Sequence, residues 1–138
     1  MSETTPSSHP RTGADRPLSP HLQIYTPLFT MIMSIVHRIT GVGLYFGMVL
    51  LALWLMAAAS GESYFDRVGG FFGSWVGQIL LFGLTWAMLH HMLGGLRHFI
   101  WDTAHGLGKF ERETLAKATL AGSVILTPVV WIIGYMVR

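Results

Sequence analysis

The sequence predicts an all-α integral membrane protein with three transmembrane helices, and three observations predict it. Of the 138 residues, 51% are hydrophobic and only 12% are charged, whereas a soluble domain of this size carries about twice that charged fraction. The apolar residues gather in three runs, each long enough for the roughly 20 residues that cross the hydrocarbon of a bilayer. The segments between those runs are short, and together with residues 1–27 they hold most of the ionisable groups. Cysteine is absent, which excludes disulfides, zinc–thiolate sites and iron–sulfur ligation on this chain. The net charge of +2 is small and dispersed, so no nucleic-acid partner is expected.

Residues 1–15 (MSETTPSSHPRTGAD) are polar and rich in Pro, Ser and Thr. They cannot bury a core and read as a disordered tail, with His9 solvated. No apolar core with a small-residue cleavage site precedes them, so a secretory signal is not expected. Residues 16–27 (RPLSPHLQIYTP) combine three prolines with Leu18, Leu22, Ile24 and Tyr25. This predicts an ordered interfacial segment that is not one continuous helix. The three-helix membrane region spans 28–138. Its first helix runs over about 28–59 and opens with a polar patch of Ser34, His37, Arg38 and Thr40 before turning apolar from Val42 onward. A short loop with Glu62, Asp66 and Arg67 is expected next. The second helix spans about 71–100, with Gln78 as a lone polar group suited to an interhelical hydrogen bond. The loop after it is the most charged part of the chain, and the third helix is expected over about 115–137. Pro128 would kink that helix, a feature membrane helices tolerate.

Basic residues set the expected orientation. Arg11, Arg16, Arg38, Arg97, Lys109, Arg112 and Lys117 fall on the N-terminal side and the second loop, against Arg67 and Arg138 on the other side. The N-terminus is therefore expected on the cytoplasmic or matrix side. Ser34, His37 and Arg38 then lie at a depth similar to Arg97 and His98, with His91 about 10 Å deeper at about 1.5 Å per residue.

The chemistry concentrates in the stretch from His90 to Asp102, HHMLGGLRHFIWD. Ionisable groups inside a membrane segment are expensive and mark function by default. His91 and His98 are seven residues apart, about two helical turns, and share a face with Gly94 and Gly95 between them. That face could take a haem with iron on a histidine and propionates near Arg97 or His98. It could equally be a Gly-Gly helix-packing surface with basic residues marking the membrane boundary. Should His91 bind iron, the second ligand comes from another chain, because His98 lies on the same helix face. His90 points about 100° away, towards a neighbouring helix. Asp102 fits a surface carboxylate paired with Arg97 or Lys109. Ser34 and Arg38, four residues apart at the membrane edge, could hydrogen-bond one carbonyl of a quinone. Three helices without an internal repeat argue against a transporter.

In order and spacing, RPLSPHLQIY, SIVHRITG and HxxxGGLRHFIWD resemble the cytochrome b membrane-anchor subunit of succinate dehydrogenase (succinate:quinone oxidoreductase, complex II). The resemblance covers about Arg16 to the C-terminus. It implies one half of a two-subunit helical bundle around haem b. The other half would be a second membrane-anchor subunit, and the pair would hold a flavoprotein subunit and an iron–sulfur subunit. It implies His91 as the haem axial ligand, and so the haem-iron ligand, with Ser34 and Arg38 lining the ubiquinone site. His37, Arg97 and His98 would be propionate or quinone-site neighbours. Residence in a bacterial inner membrane or the mitochondrial inner membrane follows, and the chain would have no catalytic activity alone. The anchor of a fumarate reductase is the alternative within the same chemistry, and a haem-free structural membrane protein is the alternative outside it. His90, which makes a tandem with His91, and Gly94, which precedes Gly95, depart from the usual pattern.

Overall fold

The computed structural model describes residues 24–137, so the tail expected over 1–15 and residues 16–23 of the interfacial segment lie outside the described residues. The described residues form four helices and no strand: α1 Phe29–Ser60, α2 Glu62–Gly73, α3 Trp75–Asp102 and α4 Lys109–Met136. Three of them, α1, α3 and α4, are long and apolar enough to cross a membrane. At 32, 28 and 28 residues and about 1.5 Å per residue, they measure about 48, 42 and 42 Å. Each therefore exceeds the roughly 30 Å hydrocarbon core, and their ends stand in the interfaces.

Residues 25–28 have no regular secondary structure and lead into α1, where Leu28 is the extended N-cap with φ −65° and ψ 146°. The α1 helix ends at Gly61, whose φ of 111° lies where L side chains are strained and glycine is not. The loop expected after α1 is instead the 12-residue helix α2. Its apolar residues Tyr64, Phe65, Val68, Phe71 and Phe72 recur at the spacing of one helical face, and Phe65 packs against Trp54 of α1 with ring centroids 5.9 Å apart. Ser74 separates α2 from α3. It is the N-cap of α3, and its hydroxyl accepts from the Gly77 N–H at 3.2 Å. Gly77 lies so close to the Phe71 carbonyl and the Phe72 backbone that no Cβ fits there.

The third membrane helix begins at Lys109, six residues before the expected Leu115. Hydropathy marks only the part inside the membrane, whereas the helix continues through its polar first turns. There the Glu111 carboxylate accepts from the Gly108 N–H at 3.1 Å, which meets an otherwise orphan donor.

The core is the seam where the three long helices meet. From α3 it takes Ala87, His90, Gly94 and Arg97, and from α4 Ala116, Thr119, Ser123 and Thr127. The α4 stripe is small throughout, which lets backbones approach closely where lipid supplies no hydrophobic drive. Gln78 makes the expected interhelical bond, accepting from the Tyr135 hydroxyl at 2.8 Å. Higher on the same seam the Trp131 indole donates to Thr85 at 3.2 Å. The outward faces are apolar, with Ile39, Phe46, Ile79, Phe99 and Ile125 all exposed.

Candidate haem and quinone site

Two polar patches far apart in sequence meet at one end of the bundle. The His37 ring of α1 stacks on the His91 ring of α3, with centroids 4.0 Å apart and planes 5° from parallel. On its other side His37 meets His98 at 5.5 Å. The antiparallel course of α1 and α3 produces this, since the opening turns of one lie beside the closing turns of the other. Gly94 makes the approach possible. A Cβ there would run into the His37 ring, whereas a Cβ on Gly95 would meet no atom within 4 Å. The flat notch expected over Gly94 and Gly95 is therefore half filled, and the open part lies at Gly95.

The hydrogen bonds around His91 fix its protonation pattern. Its Nδ1 lies 3.1 Å from the His37 carbonyl oxygen and 3.4 Å from Thr40 Oγ1. A carbonyl can only accept. The Thr40 hydroxyl spends its hydrogen on the same carbonyl at 2.9 Å. Nδ1 of His91 is therefore the donor, which in the neutral ring leaves the Nε2 lone pair available. That is the tautomer a metal-bound histidine adopts, with its second nitrogen donating to a carbonyl. Gly41 flanks the ring, and a Cβ on it would stand 3.0 Å from His91 Cε1.

Arg97 is 4% exposed. Asp102 pairs with neither Arg97 nor Lys109: among the described residues the one ion pair is Lys117–Glu113. The Arg97 guanidinium lies over the Trp101 ring, 5.0 Å from the centroid, and its Nε has no hydrogen-bond partner among the described residues. Seven residues after His90 and three after Gly94, it falls on the buried stripe of α3 rather than at the surface. Ser34 and Arg38 are exposed on α1, one turn apart, and neither side chain hydrogen-bonds to the histidine cluster. His90 faces away from it, fully buried, with Nδ1 3.1 Å from Ser123 Oγ of α4. Spacing put His37 at the depth of His98 and His91 about 10 Å deeper, whereas His37 lies against the His91 ring itself. The sequence reading placed Thr40 in the polar patch without giving it His91 as a neighbour, and it missed Gly41 and Ser123, the latter one of three hydroxyls at four-residue spacing with Thr119 and Thr127.

The model of the family described as succinate dehydrogenase/fumarate reductase transmembrane subunit matches residues 12–130. The chain belongs to this family. The chain is 40% identical over 122 residues to the succinate dehydrogenase cytochrome b556 subunit of Paracoccus denitrificans, covering 88% of this chain and 94% of that one. It is 32% identical over 117 residues to the cytochrome b556 subunit of Rickettsia conorii, covering 85% and 91%. With the mitochondrial cytochrome b560 subunit of Sus scrofa it shares 36% identity over 116 residues, covering 83% and 65%. These likenesses make it a succinate dehydrogenase-type cytochrome b membrane anchor, a transmembrane subunit of an oxidoreductase complex. Such a subunit implies haem, partner subunits and a lipid bilayer.

The residues fit a haem on three counts. His91 carries its proton on Nδ1 and leaves Nε2 free, Gly95 leaves open space, and Arg97 is a buried cation without an anion. A haem held by two protein ligands would need only one from this chain. No group of three or more metal-ligating side chains occurs among the described residues.

Proposed function

We propose that this chain holds haem b through His91 and forms part of a ubiquinone site with Ser34 and Arg38, so that electrons from succinate oxidation pass to the quinone pool. The second axial ligand comes from a second membrane-anchor subunit, and flavoprotein and iron–sulfur subunits dock on the cytoplasmic or matrix side. The observation that carries this reading is the His91 Nδ1–His37 carbonyl bond at 3.1 Å, which orients the imidazole and keeps Nε2 available for iron. Haem with two imidazole ligands relays single electrons without binding oxygen.

The chain's own residues supply binding and orientation. Thr40 donates to the carbonyl that orients His91. His37 holds one face of the His91 ring. Arg97 and His98 stand where propionates would be met, and a propionate on Arg97 would relieve the cost of a buried cation without a counter-ion. Ser34 offers a hydroxyl and Arg38 a guanidinium to a quinone headgroup, and the exposed apolar face of α1 beside them suits its tail.

The test is a reduced-minus-oxidised spectrum of the complex purified through a tag on this chain, with dithionite and then with succinate. A b-type signal produced by both reductants is expected. A flavoprotein-containing complex without a b-type signal sinks the haem assignment. His91→Ala should remove or shift that signal, and an unchanged spectrum rules out His91 as the ligand. Ser34→Ala and Arg38→Ala should lower succinate–quinone activity while succinate oxidation with a soluble artificial acceptor persists. If both activities fall together in an assembled complex, the quinone site lies elsewhere.

A further inference from the structure

We propose that the hydrogen bond between His90 and Ser123 sets the rotation of α3 about its own axis, making His90 a positioning residue for the His91 imidazole. The proposal rests on the haem reading above, and its test separates the two.

A helix in water is oriented by its apolar face. In lipid that torque is absent, because the surroundings are as apolar as the side chains, and packing and interhelical hydrogen bonds take over. The exposed apolar residues Phe82, Met88, Met92, Leu96 and Phe99 lie on one side of α3, away from buried His90, Gly94 and Arg97, and lipid against that side exerts no orienting torque. The rotation of α3 therefore rests on the packing of its buried side and on polar pegs. Three side-chain bonds join α3 to α4: Gln78–Tyr135, Thr85–Trp131 and His90–Ser123. Only the last has both partners fully buried, and it is the one adjacent to the candidate ligand.

Its donor pattern is determined. The Ser123 hydroxyl donates to the Leu120 carbonyl at 2.9 Å, so its oxygen accepts from His90 Nδ1–H. Trp86, one turn earlier on α3, stacks on the His90 ring with centroids 5.3 Å apart and planes 29° from parallel, which fixes the ring plane. Successive residues then clamp α3 to different helices. His90 is tied to α4, and His91, about 100° further round, is tied to the His37 carbonyl of α1. Rotation that frees one bond strains the other. Nε2 of His90 has no partner among the described residues, so the ring's work lies in Nδ1 and the stack. An asparagine amide at this position can reproduce the Nδ1 donor.

The experiment uses the intact complex with His90→Leu, His90→Asn and Ser123→Ala. Two readouts are taken at measured haem content. The first is the low-spin haem g-values, which depend on the relative setting of the two axial imidazole planes. The second needs no haem. It is the yield of an intrachain disulfide in a Leu93→Cys, Gly122→Cys background, in a chain that otherwise has no cysteine. Leu93 Cδ1 lies 3.0 Å from where a Cβ on Gly122 would stand. We expect His90→Leu and Ser123→Ala to shift the g-values and to lower the disulfide yield at least two-fold, with His90→Asn retaining both. Unchanged g-values and unchanged cross-linking in Ser123→Ala overturn the proposal, as does a His90→Asn variant as perturbed as His90→Leu. Should His90→Leu fail to assemble, Ser123→Ala, which removes one oxygen, decides. A wild-type complex without b-type haem defeats the haem reading alone, and the disulfide yields still test the rotation.

Discussion

Gly94 and Gly95 are adjacent and chemically identical, yet they answer to different neighbours. Gly94 gives its space to the His37 ring, and a Cβ on Gly95 meets no atom within 4 Å among the described residues. Gly94→Ala drives a methyl into the His37 imidazole, which stacks on His91 and meets His98 at a tilt. Overpacking of this kind costs about 1–3 kcal/mol. The expected result is a lower melting temperature of the solubilised complex together with a displaced haem spectrum. Gly95→Ala should leave assembly and melting temperature intact, because no atom of the described residues is in the way. A fall in haem content at Gly95→Ala then reports the macrocycle itself, and undiminished haem there would move the cofactor off this face. The face carrying His91, Gly94 and His98 was legible from spacing alone, since seven residues make about two turns. What filled it was not, because a single sequence does not say which residue of α1 stands opposite Gly94. Arg97 shows the same limit. Its place near the helix end suggested a surface cation, but its register with His90 and Gly94 buries it; the reading of His90 as facing a neighbouring helix, carried on by seven residues, would have placed Arg97 there too.

Among the helices, α2 was the readable surprise. Tyr64, Phe65, Val68, Phe71 and Phe72 mark one helical face, although the segment with Glu62, Asp66 and Arg67 reads as a loop and Phe71 as the start of the next helix, which begins instead at Trp75. The helix is about 18 Å long at about 1.5 Å per residue, too short to cross a bilayer. It ends at a turn so tight that Ser74 and Gly77 are both specified. Ser74→Ala removes the hydroxyl that caps α3 and should destabilise by about 1 kcal/mol. Gly77→Ala should cost more, because the added methyl meets the Phe71 and Phe72 backbone rather than a side chain that can swing aside. Chemical unfolding of the detergent-solubilised complex checks the ranking, and a Gly77→Ala variant as stable as Ser74→Ala would contradict the close approach. The early start of α4 carries the complementary lesson. Apolar runs locate membrane segments, whereas capping groups such as Glu111 locate helix ends.

At the scale of the whole chain, the histidine cluster and the charged α3–α4 connection lie at one end of the bundle, and α2 lies at the other. That arrangement converts a charge count into a statement about sides. If basic residues hold the cytoplasmic or matrix side, then Lys109 and Arg112 face it and Glu62 faces away. The soluble subunits of the proposed complex would then meet this chain at the end nearest His37 and His98, which shortens the path for electrons arriving from the iron–sulfur subunit. The absence of cysteine makes this directly measurable. In a Glu62→Cys variant a membrane-impermeant maleimide should label this chain in intact spheroplasts or mitoplasts. In a Lys109→Cys variant labelling should require permeabilisation and removal of the soluble subunits. The reverse pattern would put the cluster on the far side of the membrane from succinate oxidation. It would remove the geometric reason for a haem at His91 to lie on the route to the quinone, even if the haem itself were present.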